Sequence, residues 1–404
     1  MNEQINWFDA YGSENVELFA EDDVNNEQEE DIAESGIKSI SEMAISGTDW
    51  TTETIVRQME KKNIVLNPEF QRRDAWDNKK KSRFIESLLL GFPIPQIILA
   101  ETKDKGRRFI VIDGKQRLLS LQQFIQNDTN SGSSLKLSGL EVRKDLNGKT
   151  YRQMIEDGYE SDIDSLSNQP IRTVVLKNWP SVEMLYLIFL RLNTGSVKLS
   201  PQELRQALYP GEFINFANEY SANSKAIKQI LNLKENKPDF RMRDVEVFIR
   251  YMAFQFFANK YNGSMQSFLD NTCKNLNAQW QKNSCSIKER AEQIEKAAEC
   301  AYSIFERNAF CKYKNGQYEN RINRAVMDVF LYYFSDSNVR NKSTENKDAI
   351  KNSFEDLCST DEQFMDSIEQ TTKSISAVSY RFNKWAETLE KLVSLKIVSP
   401  FKDV

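Results

Sequence analysis

Asp113-Gly114-Lys115-Gln116-Arg117 sets a carboxylate, a glycine, an ammonium, an amide and a guanidinium on consecutive residues. These are the groups that phosphate and metal chemistry uses. Lys115 offers a point charge, and Arg117 a planar fork that can hold a phosphate through two bonds. Asp113 can ligate Mg2+ or orient a water, and Gln116 can position that water. Gly114 allows close backbone approach and an unusual φ. The β-forming run Arg108–Ile112 precedes the turn and the helical pattern Leu118–Ile125 follows it. A strand that passes through a glycine turn into a helix leaves backbone N–H groups facing a possible anion. A lone D-G-x-x-R is weak by itself, because Asp-Gly also makes ordinary turns.

Other candidates flank this turn. Gln71, Arg72 and Arg73 precede Trp76 in a segment of little regular pattern. They read either as a second phosphate clamp or as solvated residues beside a tryptophan that packs on the following helix. Asn193-Thr194-Gly195 reads as a helix C-cap or as an amide ligand for metal or phosphate. Glu203 reads first as the capping-box partner of Ser200 and second as an acid. The basic runs Lys79–Lys81 and Arg241–Arg243 could touch a DNA backbone or simply be solvated faces. The aromatic helix Phe248–Phe257 reads as core rather than as a base-stacking platform, with an exposed face for a partner or second copy as another use.

Absences narrow the chemistry. The chain of 404 residues contains no histidine. A His base, a His metal ligand and HNH-type nuclease chemistry are therefore excluded within this polypeptide. Cysteines 273, 285, 300, 311 and 358 form no C-x-x-C pair and read as reduced thiols of a cytoplasmic protein. The longest apolar run, Met184–Leu190, falls far short of the roughly 20 residues that span a bilayer, and the N-terminus lacks a signal-peptide pattern, so no membrane association is expected. Charge is unevenly spread. Residues 1–37 hold 12 acidic residues and no Lys or Arg, which leaves 54 basic against 47 acidic, or +7, over 38–404. The tail reads as disordered, with competition against nucleic acid for a basic face as the sharper alternative.

Periodicity supplies the scaffold. Helices are predicted over Thr52–Lys61 and from an Asp77 cap to about Leu90, closed by Gly91, Pro93 and Pro95. Strands are predicted at Gln96–Ala100, Arg107–Ile112, Leu135–Val142 and Ile171–Lys177. From Ser181 nearly everything is helical: Ser181–Leu192, a helix opened by Ser200-Pro201-Gln202-Glu203, Arg241–Phe257, then 264–280, 287–307, 319–334, 346–357 and 379–396, with Ser335–Lys347 as a loop. The expected fold class is α+β. The expected division is an acidic, disordered 1–46, an α+β domain over 47–210 and an all-helical 211–404.

Four segments together resemble one family. They are Asn67-Pro-Glu-Phe-Gln-Arg-Arg-Asp-Ala-Trp76, Ser87-Leu-Leu-Leu-Gly-Phe-Pro-Ile-Pro95, Ile112-Asp-Gly-Lys-Gln-Arg-Leu118, and Phe189-Leu-Arg-Leu-Asn-Thr-Gly195 with Leu199-Ser-Pro-Gln-Glu-Leu204. The stretch 50–210 resembles the N-terminal domain of GmrSD-type restriction endonucleases, and Tyr380–Trp385 resembles the helical extension common there. The resemblance implies a ParB/sulfiredoxin-like domain in a prokaryotic anti-phage defence system. It implies nucleotide binding and hydrolysis at the Asp113 turn, with an NTP and Mg2+ as cofactors and Gln71, Arg72, Gly114, Lys115 and Asn193 as nucleotide contacts. Asp113, Gln116 and Arg117 take the catalytic roles, and Asp113 the metal. Lys115 stands where the family has Gln, and the HNH-type domain is missing, so cutting implies a partner nuclease or another effector.

Three readings compete: an NTP hydrolase that gates an effector, a non-catalytic ParB-like adaptor that binds nucleotide or DNA and recruits an effector nuclease, and a nuclease built from carboxylates such as Asp113 and Glu86; a homo-oligomer is a further expected assembly. The third lacks any compact nuclease pattern.

Overall fold

The computed structural model describes residues 43–66, 74–102, 108–126, 134–192, 200–233, 238–239, 241–370 and 372–402. The acidic tail, Gln71, Arg72, Arg73 and Asn193 lie outside the described residues. The chain folds as two compact units. One holds 43–222 with 238–246, the other 223–233 with 247–402.

The first unit is α+β. Its elements are β1 (Ala44–Thr51), α1 (Thr52–Glu60), α2 (Asn78–Leu89), β2 (Ile97–Glu101), β3 (Phe109–Asp113), α3 (Lys115–Leu121), α4 (Tyr151–Glu156), α5 (Glu160–Asn168), β4 (Pro170–Lys177), α6 (Val182–Leu192), α7 (Pro201–Leu208) and α8 (Glu212–Asn223). The sheet order is β1-β4-β2-β3, with β2 and β4 parallel and the other pairs antiparallel. Side chains alternate across the sheet, as a period of two requires. Ile97, Leu99 and Val111 join one core with Ile55 of α1, Ile85 and Leu88 of α2 and Leu118 of α3. Ile98, Ala100, Ile110 and Ile112 join the other with Leu185 and Tyr186 of α6 and Leu204 of α7. β2 and β3, buried on both faces, read as unbroken apolar runs for this reason.

Sequence and structure agree on α2. Asp77 caps it by accepting from the Lys80 N–H at 2.8 Å, and Gly91 follows at φ +67°. Three expectations are corrected in this unit. Leu135–Val142 is not a strand. Leu135, Leu137 and Leu140 are buried, but the backbone N–H groups go elsewhere: Ser138 donates to Ser82 Oγ, and Glu141, Val142 and Arg143 donate to the Glu86 carboxylate. The apolar signal was real, but helix α2 supplied the acceptors a neighbouring strand would have offered. β1 begins at Ala44, inside the segment read as tail. Its side chains are mostly exposed, so it leaves no hydrophobic signal, and its ladder with β4 holds it. The helix expected from Arg241 begins at Arg243.

The second unit is helical with one hairpin: α9 (Lys225–Ile230), α10 (Arg243–Phe257, entering from the first unit), α11 (Met265–Phe305), β5 (Cys311–Lys314), β6 (Gln317–Ile322), α12 (Arg324–Phe334), α13 (Ser337–Glu345), α14 (Lys347–Thr360), α15 (Glu362–Glu369) and α16 (Ile375–Val393). Phe254 stacks on Phe382 at 5.1 Å, and Phe330 lies 5.2 Å from Trp385, so the aromatic residues build core. The two helices expected over 264–280 and 287–307 are one helix of 41 residues. Gln281–Ser286 is polar but carries no Gly or Pro to stop it. The start expected at 319 is instead β6 of a hairpin whose turn, Asn315-Gly316, has φ of +53° and +81°. The loop expected over 335–347 is helical because Asp336 caps α13, accepting from Asn338 and Val339. Four of the cysteines are buried free thiols and Cys285 is exposed. No helix among the described residues is long and apolar enough to cross a membrane.

Candidate functional site

The candidate site grows from the end of β3. A register shift between Ile98 and Leu99 sets Asp113 opposite Ile98 at the strand terminus. Gly114 then takes φ +98°, and a Cβ there would meet Ile97 Cγ1 at 3.1 Å and the Arg117 guanidinium at 3.3 Å. Both the backbone and the close approach of Arg117 require glycine. No side chain caps the start of α3, which carries Lys115, Gln116 and Arg117 in its first turn.

Each of these side chains has a defined place. Asp113 is partly exposed, with Oδ1 accepting from the Gly114 N–H at 2.7 Å and Oδ2 facing Arg117 Nη2 at 2.9 Å. Arg117 folds back over the glycine, and Nη2 also donates to the Gln96 carbonyl at 3.0 Å, while its buried Nε meets no acceptor among the described residues. Among those residues the guanidinium is anchored at one end only. Gln116 Oε1 accepts from the Trp76 N–H at 3.2 Å. Lys115 turns inward, 4% exposed, and its ammonium pairs with the equally buried Glu203 carboxylate.

This last contact shows what Glu203 does. Its Oε2 accepts from the Ser200 N–H while Ser200 Oγ caps the Glu203 N–H, the predicted capping box. Its other oxygen faces Lys115. One carboxylate thus serves a helix cap and a buried ion pair, and ties the Ser200–Glu203 box to the Asp113–Arg117 turn. The charge at 115 has its own counter-charge in the fold.

The Trp76 segment is tied in as well. Trp76 packs edge-on against Phe84 of α2 at 6.0 Å, and its N–H is shared between Gln116 and Asp74. Asp74 also accepts from Gln123 Nε2 at 3.1 Å and pairs with Lys81. In the basic run 79–81, Lys81 is therefore buried and committed to Asp74, and only Lys79 and Lys80 are exposed. Arg243 is likewise paired with Asp239 at 2.7 Å. Glu86 is spent on the three N–H groups of residues 141–143. Burial pushes its carboxyl up, but those bonds and the charge of Arg83 outweigh burial and hold it below the usual carboxylate range.

Sequence reasoning missed a buried polar stripe on α7. Gln202, Arg205 and Gln206 are all essentially inaccessible. Gln202 Oε1 accepts from Arg205 at 2.7 Å, whereas Gln202 Nε2 and both polar atoms of Gln206 have no partner among the described residues. The signal was the polar residues filling the helix that the capping box opens. No group of three or more Asp, Glu or Cys side chains among the described residues is placed to hold a metal by itself. Asp113 alone fits a hard cation that takes one carboxylate and completes its shell with phosphate oxygens and water.

Among the described residues, the glycine turn at the sheet end thus meets both the Trp76 backbone and the Ser200–Glu203 capping box. Residues 53–210 match the family model described as GmrSD restriction endonuclease, N-terminal domain. The match runs from within α1 to just past α7, so it holds every strand of the sheet except β1. The GmrSD-type domain is one of restriction and defence-type systems. Neither the curated proteins nor the solved structures gave a match to this chain.

Proposed function

We propose that the GmrSD-type domain of this chain binds a nucleoside triphosphate at the Asp113–Arg117 turn and hydrolyses it, and that this activity regulates DNA targeting or a partner nuclease in a prokaryotic defence system. The observation that carries the reading is the placement of Arg117 across Gly114, held by Asp113 and one carbonyl and with Nε unanswered among the described residues. A phosphate offers the oxygens that would satisfy this fork. When the guanidinium exchanges Asp113 for phosphate, the carboxylate becomes free to hold a divalent cation with the same ligand. A bound Mg2+ would neutralise phosphate charge. Gln116, already fixed by Trp76, positions the attacking water. Lys115 holds the turn against α7 through Glu203. Gln71, Arg72 and Asn193 complete the nucleotide contacts in this reading, which also takes the domain as ParB-like.

The Asp113–Arg117 pair favours a second reading, a nucleotide-binding adaptor without turnover, because the two groups neutralise each other when no ligand intervenes. Phosphate release by the purified chain with each of the common NTPs and Mg2+ separates the two. Turnover that disappears in Asp113→Ala and Arg117→Ala, with unchanged thermal unfolding, supports hydrolysis at this turn. Turnover that persists in both variants refutes the assignment, and nucleotide binding without release selects the adaptor.

A further inference from the structure

The second unit carries a polar cleft that the nucleotide reading does not use. It lies beside the β5–β6 hairpin, has a volume of about 540 Å3, and is lined by Arg307, Asn308, Gln317 and the run Tyr318–Arg321. The hairpin is rigidly built. Its turn uses Asn315 and Gly316, both at positive φ, and Tyr313 and Tyr318 pair across the strands with ring centroids 5.0 Å apart. Lys312 and Lys314 are anchored by Glu369 at 2.7 and 2.8 Å. Arg307, Gln317, Asn320 and Arg321 are exposed, so the cleft opens to solvent along its length.

Its chemistry is that of an anion acceptor. Guanidinium and carboxamide groups dominate the exposed lining, while the hydroxyl of Tyr318 is buried, where desolvation and Glu355 hold its pKa far above the normal range. The one lining carboxylate, Glu319, is bridged by Lys312 at 3.0 Å. Lys312 and Lys314 are held by Glu369, so Arg307 and Arg321 carry the exposed positive charge of the cleft. A solvent-open cleft suits a ligand longer than the cleft, and a two-stranded ribbon is one of the elements a duplex groove admits. Arg, Asn and Gln are among the side chains that meet phosphate oxygens in such complexes.

We propose that the β5–β6 cleft is a contact for the phosphate backbone of double-stranded DNA. It lies outside residues 53–210, so the proposal stands or falls separately from nucleotide hydrolysis at Asp113. The test is fluorescence anisotropy of the full chain with a short labelled duplex, titrated between about 50 and 200 mM salt. The variant Arg307→Glu/Arg321→Glu is expected to bind roughly tenfold or more weakly, with a salt slope smaller by about 2, because two phosphates are no longer neutralised. Arg152→Glu, a charge reversal at an exposed site in the first unit, is expected to leave both quantities near wild type. If the reversal variant loses its thermal transition, Arg307→Gln/Arg321→Gln tests the same removal of charge without repulsion. Wild-type affinity and slope in the cleft variant, an equal loss in Arg152→Glu, no duplex binding by the wild type at low salt, or displacement of the duplex by an equal concentration of free NTP would each overturn the proposal.

Discussion

At the scale of the residue, the Lys115–Glu203 pair decides how the turn is held. Both groups are 4% exposed. Removing one charge of such a pair leaves the other desolvated and costs about 3–5 kcal/mol, whereas replacing both is close to neutral. Glu203→Gln, which keeps a capping-box side chain, and Lys115→Met are each expected to destabilise strongly, and the double variant to recover most of the loss. Urea unfolding of the four proteins measures the coupling, and simple additivity of the single losses would show that the pair is not made. Gln206 gives the opposite sign. Its amide is buried without partners among the described residues, so Gln206→Leu is expected to raise stability by about 1 kcal/mol. A measured loss would mean that the amide is satisfied in solution. Glu86 sets a pH dependence. Because its carboxyl is held below the normal value when folded, its contribution is complete above about pH 4–5 and fades as pH falls through the lowered value. Glu86→Gln should cost roughly 2 kcal/mol at neutral pH, and the gap to wild type should narrow in acid. A gap that stays constant between neutral and acidic urea titrations would show that the carboxylate charge plays no part.

At the scale of the element, caps and turns were legible and continuity was not. Asp77, the Ser200 box and the Ser181 start all stand where their residue types place them, because a side-chain acceptor at a helix N-terminus acts within a few residues of itself. The hairpin carried an equally local signal in Asn315-Gly316, which the helix expected over 319–334 left unread. Gly316 needs its positive φ but has open space where a Cβ would sit, so Gly316→Ala should cost about 1 kcal/mol from backbone strain alone. Thermal unfolding checks this, and a neutral result would mean that the turn adopts another type. The segment 135–142 failed for a different reason. Leu135, Leu137 and Leu140 report burial, but whether the backbone pairs with a strand or with Glu86 is a fact about what lies opposite.

At the scale of the molecule, charge is the main issue. The body beyond residue 37 is basic by +7 and residues 1–37 are wholly acidic among their charged side chains. If the tail competes with nucleic acid for the body, deleting residues 1–37 should raise DNA affinity at low salt, and the gain should shrink as salt screens both interactions. Unchanged affinity by anisotropy removes the idea. No histidine lies within these 404 residues, so the chemistry proposed for the Asp113 turn uses none.

What the sequence determined by itself was the inventory and the local syntax. It held the α+β pattern, the strand–glycine–helix run at Asp113, the capping box at Glu203 and the lack of any histidine, since each of these rests on residue type or on neighbours a few positions apart. Tertiary structure decided the pairings. That Lys115 faces Glu203, that Gln116 holds the Trp76 backbone and that Lys81 is consumed by Asp74 depend on how separate segments of the chain come together. Partners of this kind are chosen by how sheet and helices pack, and a charge or an amide carries no local mark of which group will meet it.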